Sequence, residues 1–322
     1  MQTIIATLFL ALAMMSCSAK GGRAETEAAA TEADGAAPVA VFSADSAYSY
    51  VKRQVDFGPR VPGSEAHARA GKWLASELER HGAGVIVQEV RLKAFDGTML
   101  PARNIFGQYN PGSADRLLLV AHWDSRPWAD KDQDPDKHKT PVDGANDGAS
   151  GVGVLLEVAR QLAANAPAKG VDILFVDAED WGDDGDEDSW ALGAKYFVDN
   201  PVKPGYKPSE VIVLDMVGGA DARFPREYFS QQNAPQLLDR IYAVAAASGY
   251  APMFPNEIGG AVTDDHIQFI RGGIPAVDII DYRDGFHPAW HTSADDMTAI
   301  DRRTLGAVGQ TIVNLILGFK DK

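Results

Sequence analysis

Apolar and polar positions along the chain follow two periods, one of about two residues and one near 3.6. Residues 85–92 and 104–109 read as strands, and 117–121 (Leu117 to Ala121) is an unbroken apolar run, as expected of a strand covered on both faces. A helix is predicted over 148–164, where Val152, Leu155, Leu156, Ala159, Leu162 and Ala163 form one stripe. Further strands are predicted at 171–177, 211–215 and 276–280, and a helix at 236–248. A last helix opens at Asp301 and turns Leu305, Val308, Ile312, Leu315 and Ile316 inward. Upstream, Asp45 or Ser46 can cap a helix reaching about residue 57. Ser64 can cap another, with Ala68, Gly71, Leu74, Ala75 and Leu78 at helical spacing and Gly82 closing it. Strands alternating with helices predict an α/β fold: a single domain over 45–322, with a mixed, mainly parallel central sheet flanked by helices on both faces. In such sheets ligands bind outside the carboxyl ends of the strands.

The N-terminus breaks this pattern. Residues 4–15 are a short apolar stretch, too short to span a bilayer but suited to a signal-peptide core, and Ser16-Cys17-Ser18 follows. A small residue followed by Cys after such a core resembles a bacterial lipoprotein cleavage site, although no Lys or Arg precedes the core. Residues 1–17 are therefore expected to be a leader and Cys17 a lipid anchor. Residues 18–44, rich in Ala, Glu and Thr, are expected to be a disordered tether. The expected location is the envelope of a Gram-negative bacterium, periplasm or outer membrane, with contact to the membrane only through that lipid. Cys17 is the one cysteine in the chain, so no intrachain disulfide can form. The 322 residues carry a net charge of -15, which argues against nucleic-acid partners. A monomer is expected.

The candidate chemistry gathers at predicted strand ends. Glu179 and Asp180 follow the 171–177 strand side by side and point to opposite sides of the chain, so one could hold a metal while the other moves protons. His122 and Asp124 follow the 117–121 strand. Asp147 precedes the 148–164 helix, where a helix cap is an alternative role. Asp215 ends its strand, and His291 lies in Trp290-His291-Thr292. A mixed set of imidazole and carboxylate groups without thiolate suits zinc.

The segments Ala121-His122-Trp123-Asp124-Ser125, Gly144 to Gly151, Asp177-Ala178-Glu179-Asp180 and Trp290-His291-Thr292 resemble, in order and spacing, the zinc aminopeptidase clan. Within it the chain is most similar to the glutaminyl cyclases: Asp264 and Asp265 both precede His266, Trp290 precedes His291, and residues 56–64 are also alike. The resemblance implies one zinc per chain on Asp147, Asp180 and His291, with Glu179 as acid/base. It implies that Asp264, hydrogen-bonded to Asp215, holds the leaving nitrogen, and that Trp290 walls the pocket. A cis peptide is expected after Asp147. The implied reaction converts N-terminal glutamine of peptides and proteins to pyroglutamate with release of ammonia. The rival reading is an aminopeptidase in which His122 and Asp215 complete a second metal site. Departures from the animal enzymes include Asp180 in place of a Glu ligand and Asp278 in place of a His. Phe286 and Trp190 are further pocket candidates, with surface or core packing as the alternative. The acidic stretches 183–188 and Asp130, Asp132, Asp134 read as solvated loops rather than calcium sites, since Pro135 stands where a calcium loop needs Gly. His67, His81, His138 and His287 are expected at the surface.

Overall fold

The computed structural model of the chain describes residues 38–282 and 285–319. The leader, Cys17 and residues 18–37 of the expected tether lie outside the described residues. Among the described residues no helix is long and apolar enough to cross a membrane. Helices α1 (Ala44–Val55) and α2 (Glu65–Arg80) come first, then strands β1 (Gly84–Lys93), β2 (Met99–Tyr109) and β3 (Arg116–His122). Helix α3 (Ala149–Ala164), β4 (Gly170–Val176), α4 (Leu192–Asp199) and β5 (Glu210–Asp215) follow. The chain then forms α5 (Tyr228–Asn233), α6 (Pro235–Ala247), α7 (Asp265–Arg271), β6 (Ala276–Ile280) and α8 (Arg302–Leu317).

One six-stranded sheet runs in the order β1-β2-β4-β3-β5-β6. The β1-β2 and β2-β4 pairs are antiparallel; β4, β3, β5 and β6 are parallel to one another. Successive side chains of β3 divide between two cores. Leu119 and Ala121 join the core that includes α1, α3, α6 and α8, while Leu118 and Val120 join Phe106, Phe197 and Phe269 beneath α4 and α7. That alternation explains the unbroken apolar run, and each such fully buried side chain contributes roughly 1.5–3 kcal/mol. Gly151 lets α3 lie against β5: a Cβ there would stand 2.1 Å from the Leu214 carbonyl oxygen.

Two boundaries differ from expectation. Residues 40–43, expected in the tether, belong to the domain. Phe42 is buried and its N–H donates to Gln310 Oε1, whose amide donates back to Ala40 O. Ser43, rather than Asp45 or Ser46, caps α1. The apolar Val39-Ala40-Val41-Phe42 run is the signal that composition masked. Strand β2 begins five residues earlier than predicted, at Met99. Pro101 pairs with Arg91 of β1, and β4 joins β2 only from Ile105 onward, so Pro101 lies where β2 is the edge strand on that side.

Candidate metal centre

The carboxyl ends of β3, β4 and β5 lie side by side in the sheet, so the residues that follow them share one rim. The turn after β4 puts Ala178 at φ 53°, and its neighbours Glu179 and Asp180 both present their N–H groups to Asp124, at 3.2 Å each. Met216 (φ 47°) after Asp215 and His291 (φ 54°) are likewise left-handed. Such backbone clusters where surrounding structure fixes it for function. The Asp147-Gly148 peptide is cis, as expected. A Cβ on Gly148 would stand 2.3 Å from His122 Nε2, so only glycine fits beside that ring. Asp147 is also fixed from behind: Asp295 accepts the N–H groups of Asn146 and Asp147, at 2.7 and 3.1 Å.

Two groups of buried side chains share Asp147. In the first, His291 Nε2 lies 3.1 Å from Asp180 Oδ1 and 3.6 Å from Asp147 Oδ2. In the second, His122 Nε2 lies 2.9 Å from Asp147 Oδ1 and 3.2 Å from Asp215 Oδ1. The groups differ in how their acceptors are served. Neither oxygen of Asp180 has a hydrogen-bond donor, although the residue is 1% exposed. Asp215 Oδ1 accepts from Met216 N–H at 2.8 Å as well as facing His122. A buried carboxylate without donors costs several kcal/mol unless a cation or a proton compensates it. A tetrahedral zinc with bonds of about 2.0–2.1 Å needs ligand atoms roughly 3.3 Å apart, which the His291 group matches. The donor set of imidazole and carboxylates therefore fits a divalent metal at Asp147, Asp180 and His291.

The electrostatics agree. Burial pushes Asp180 up to about 6, with Asp147 adding to the rise and His291 and Arg126 opposing it. Burial pushes Asp215 up to about 7 against the hydrogen bond from His122. Burial works upward on Asp147 too, but the hydrogen bond from His122 and the charges of His122 and His291 draw it below the usual carboxylate range. Glu179 stands well above its ordinary value: burial raises it, His122 opposes, and Asp180, Asp265 and Asp264 add to the rise. So many carboxyls on one rim are an excess of negative charge that a cation relieves.

Above the rim lies a cavity of about 240 Å³. Its floor carries Asp147, Glu179, Asp215, Asp264 and His291, and its wall carries Trp190, Phe286 and Trp290, so all three aromatic candidates line it. Trp290 stacks on His291, ring centroids 3.8 Å apart, and Phe286 packs on Trp290 at 4.3 Å. Sequence reasoning missed Met216, Val262, Ile280 and Tyr282, which complete the apolar wall. Ile280 ends a strand at the same rim, a position that could have drawn notice.

The charge of Asp264 adds to the rise of both Asp215 and Asp278, and His122 and the Met216 N–H serve Asp215. Asp265, not singled out as a site residue, is fully buried and adds to the charge around Glu179. Two expectations are corrected, both on histidines expected at the surface. His67 is not at the surface: its Nε2 lies 2.8 Å from Asp177, and its ring stacks on Trp123. His81 is likewise buried, with its Nε2 on the Tyr50 hydroxyl.

The sequence profile of peptidase family M28 matches residues 104–316. The chain belongs to peptidase family M28. Among solved M28-like structures, the glutaminyl cyclase of Bacteroides thetaiotaomicron bound to N-acetylhistamine is 48% identical, with a TM-score of 0.85 over 88% of this chain and 100% of that one. The glutaminyl cyclase of Tannerella forsythia is 50% identical, with a TM-score of 0.85 over 87% and 100%. A Zn-dependent exopeptidase from Parabacteroides distasonis is also 50% identical, with a TM-score of 0.85 over 87% and 99%. Among curated relatives, the mouse glutaminyl-peptide cyclotransferase-like protein is 28% identical over 73% of this chain, and the match spans 66% of its length, just under two thirds.

Proposed function

We propose that this M28 protein is a zinc-dependent glutaminyl-peptide cyclotransferase that converts N-terminal glutamine to pyroglutamate and releases ammonia. The observation that carries the reading is the aromatic-walled cavity over the metal-ready rim, with Glu179 on its floor. Asp147, Asp180 and His291 would hold one zinc per chain. Bound there, zinc supplies a Lewis acid for the side-chain carbonyl of the substrate glutamine. The α-amine attacks that carbon, the new C–N bond closes the five-membered ring, and the C–NH2 bond breaks. Glu179, which lines the cavity and is not in the His291 group, takes the proton from the α-amine and returns it to the departing nitrogen. Asp264 faces the same space and can hold that nitrogen, with Asp278 behind it able to share a proton. Trp290, Phe286, Trp190 and Tyr282 exclude water from the ring, which disfavours hydrolysis. The relatives described as glutaminyl cyclases support this reading.

A second reading is a two-metal aminopeptidase, favoured by the His122, Asp147 and Asp215 group. Against it, Asp215 already has a backbone donor, whereas neither oxygen of Asp180 has one. The test offers the purified protein a Gln-led and a Leu-led peptide. Ammonia from the first without free leucine from the second supports cyclisation; leucine release overturns it. The substrates are proposed to be peptides and exported proteins with N-terminal Gln, met at the cell envelope by a monomer tethered through lipid at Cys17.

A further inference from the structure

Arg126 is a guanidinium beside the metal-ready group, its Nη1 3.7 Å from Asp180 Oδ1, with four of its N–H donors committed. Nε and Nη2 form a fork on the two oxygens of Asp130, at 2.9 Å each. Nη1 donates to the carbonyls of Asp180 and Gly182, at 3.0 and 3.1 Å. Its carbon lies 4.8 Å from the ring centroid of Trp190 and 5.4 Å from that of Trp128. The side chain is 4% exposed, although its partner Asp130 is 32% exposed. Three of these contacts lead to the site. Asp180 is a ligand candidate and Trp190 is a wall of the cavity. Asp130 Oδ1 stands 3.9 Å from His291 Nδ1, the ring nitrogen left over when Nε2 faces Asp180. The same short segment holds the backbone beyond: Lys131 N–H donates to His291 O at 3.1 Å, and Asp132 accepts the N–H of Ser293 at 2.9 Å.

We infer that Arg126 is the positioning residue that sets Asp180, His291 and Trp190 relative to one another before metal or substrate arrives. The inference rests on the assignment of Asp147, Asp180 and His291 as the metal group. A ligand carboxylate and a ligand imidazole on separate segments coordinate well only if both are held without the metal. Arg126 does this from one side, through the main chain of Asp180 and, by way of Asp130, through a carboxylate charge 3.9 Å from His291 Nδ1 and the Lys131 N–H on His291 O. A lysine could keep the charge but neither the fork nor the paired carbonyl contacts nor the flat face against Trp190.

The test loads wild type, Arg126→Lys and the isosteric Asp130→Asn with zinc and follows metal loss to a chelator, with KM for a Gln-led peptide and circular dichroism as companions. Arg126→Lys should release zinc ~10- to 100-fold faster and raise KM, because Trp190 loses its support. Asp130→Asn should release zinc faster but leave KM near wild type, since it loses only the His291 arm. Zinc release equal to wild type in Asp130→Asn, or in a folded Arg126→Lys, overturns the inference. If Arg126→Lys does not fold, Asp130→Asn alone decides. Wild type that takes up no zinc overturns the ligand assignment itself, and this inference falls with it; wild type that holds zinc beside unaffected variants overturns the inference alone.

Discussion

The central sheet carries two buried clusters of charge, one at each end of its parallel strands, and they are built on opposite terms. At the amino edge of β3, Arg116 forms a two-bond fork on Asp172 at 2.7 Å, spends its other donors on the carbonyls of Tyr109, Asn110 and Ser113, and Tyr206 closes the last side of Asp172. At the carboxyl rim, both oxygens of Asp180, both of Asp265 and one of Asp264 have no donor. The first cluster is complete in the protein alone and acts as structure. The second is completed only by something brought in. A buried charge that is fully paired is weak evidence of function; several unpaired ones converging beneath a cavity are strong evidence.

Substitutions should separate the two clusters sharply. Glu179→Gln at the rim should lower kcat by ~10²- to 10⁴-fold while zinc per chain stays at the wild-type value, read by steady-state ammonia release and elemental analysis. Loss of zinc instead would mean that the roles of Glu179 and Asp180 are exchanged. At the other end, Arg116→Met leaves Asp172 buried and uncompensated and should cost about 3–5 kcal/mol in urea unfolding, with kcat of the folded protein unchanged. A fall in kcat would show that the two ends are coupled. Between these effects in kind but smaller in size, Phe286→Ala should raise KM about tenfold, about 1.4 kcal/mol, with zinc retained.

A fourth expectation concerns a paired group near the rim. Glu227 is buried, which works upward, but hydrogen bonds from His266 and Ser230 draw its carboxyl down to about 2 from 4.5. A folded value below the unfolded one adds stability above the unfolded value, and that stability is lost as pH falls from about 4.5 through about 2. Wild type should therefore lose urea resistance in that window more steeply than Glu227→Gln. Equal slopes would show that the pairing does not act on stability.

Much of this contrast could be read from the chain before the fold. The apolar runs at 117–121 and 171–177 located the strands, and polar residues placed directly after them located the rim, because strand period and sheet topology leave few alternatives. What stayed hidden depends on partners distant in sequence. His67 and Asp177 are 110 positions apart, and no local pattern joins them. Arg126 reads as one basic residue in a loop until Asp130, Asp180 and Trp190 surround it. The apolar wall residues Met216, Val262 and Tyr282 look like ordinary core or loop until the cavity gathers them.

The central claim is the proposal that the rim takes one metal, on Asp147, Asp180 and His291, and that His122 instead bridges Asp147 and Asp215. Titrating metal-free protein with zinc, and counting tightly bound equivalents per chain by elemental analysis, tests it most directly. The account predicts one equivalent in wild type and none in Asp180→Asn. Two tight equivalents in wild type, one of them surviving in Asp180→Asn, would contradict it.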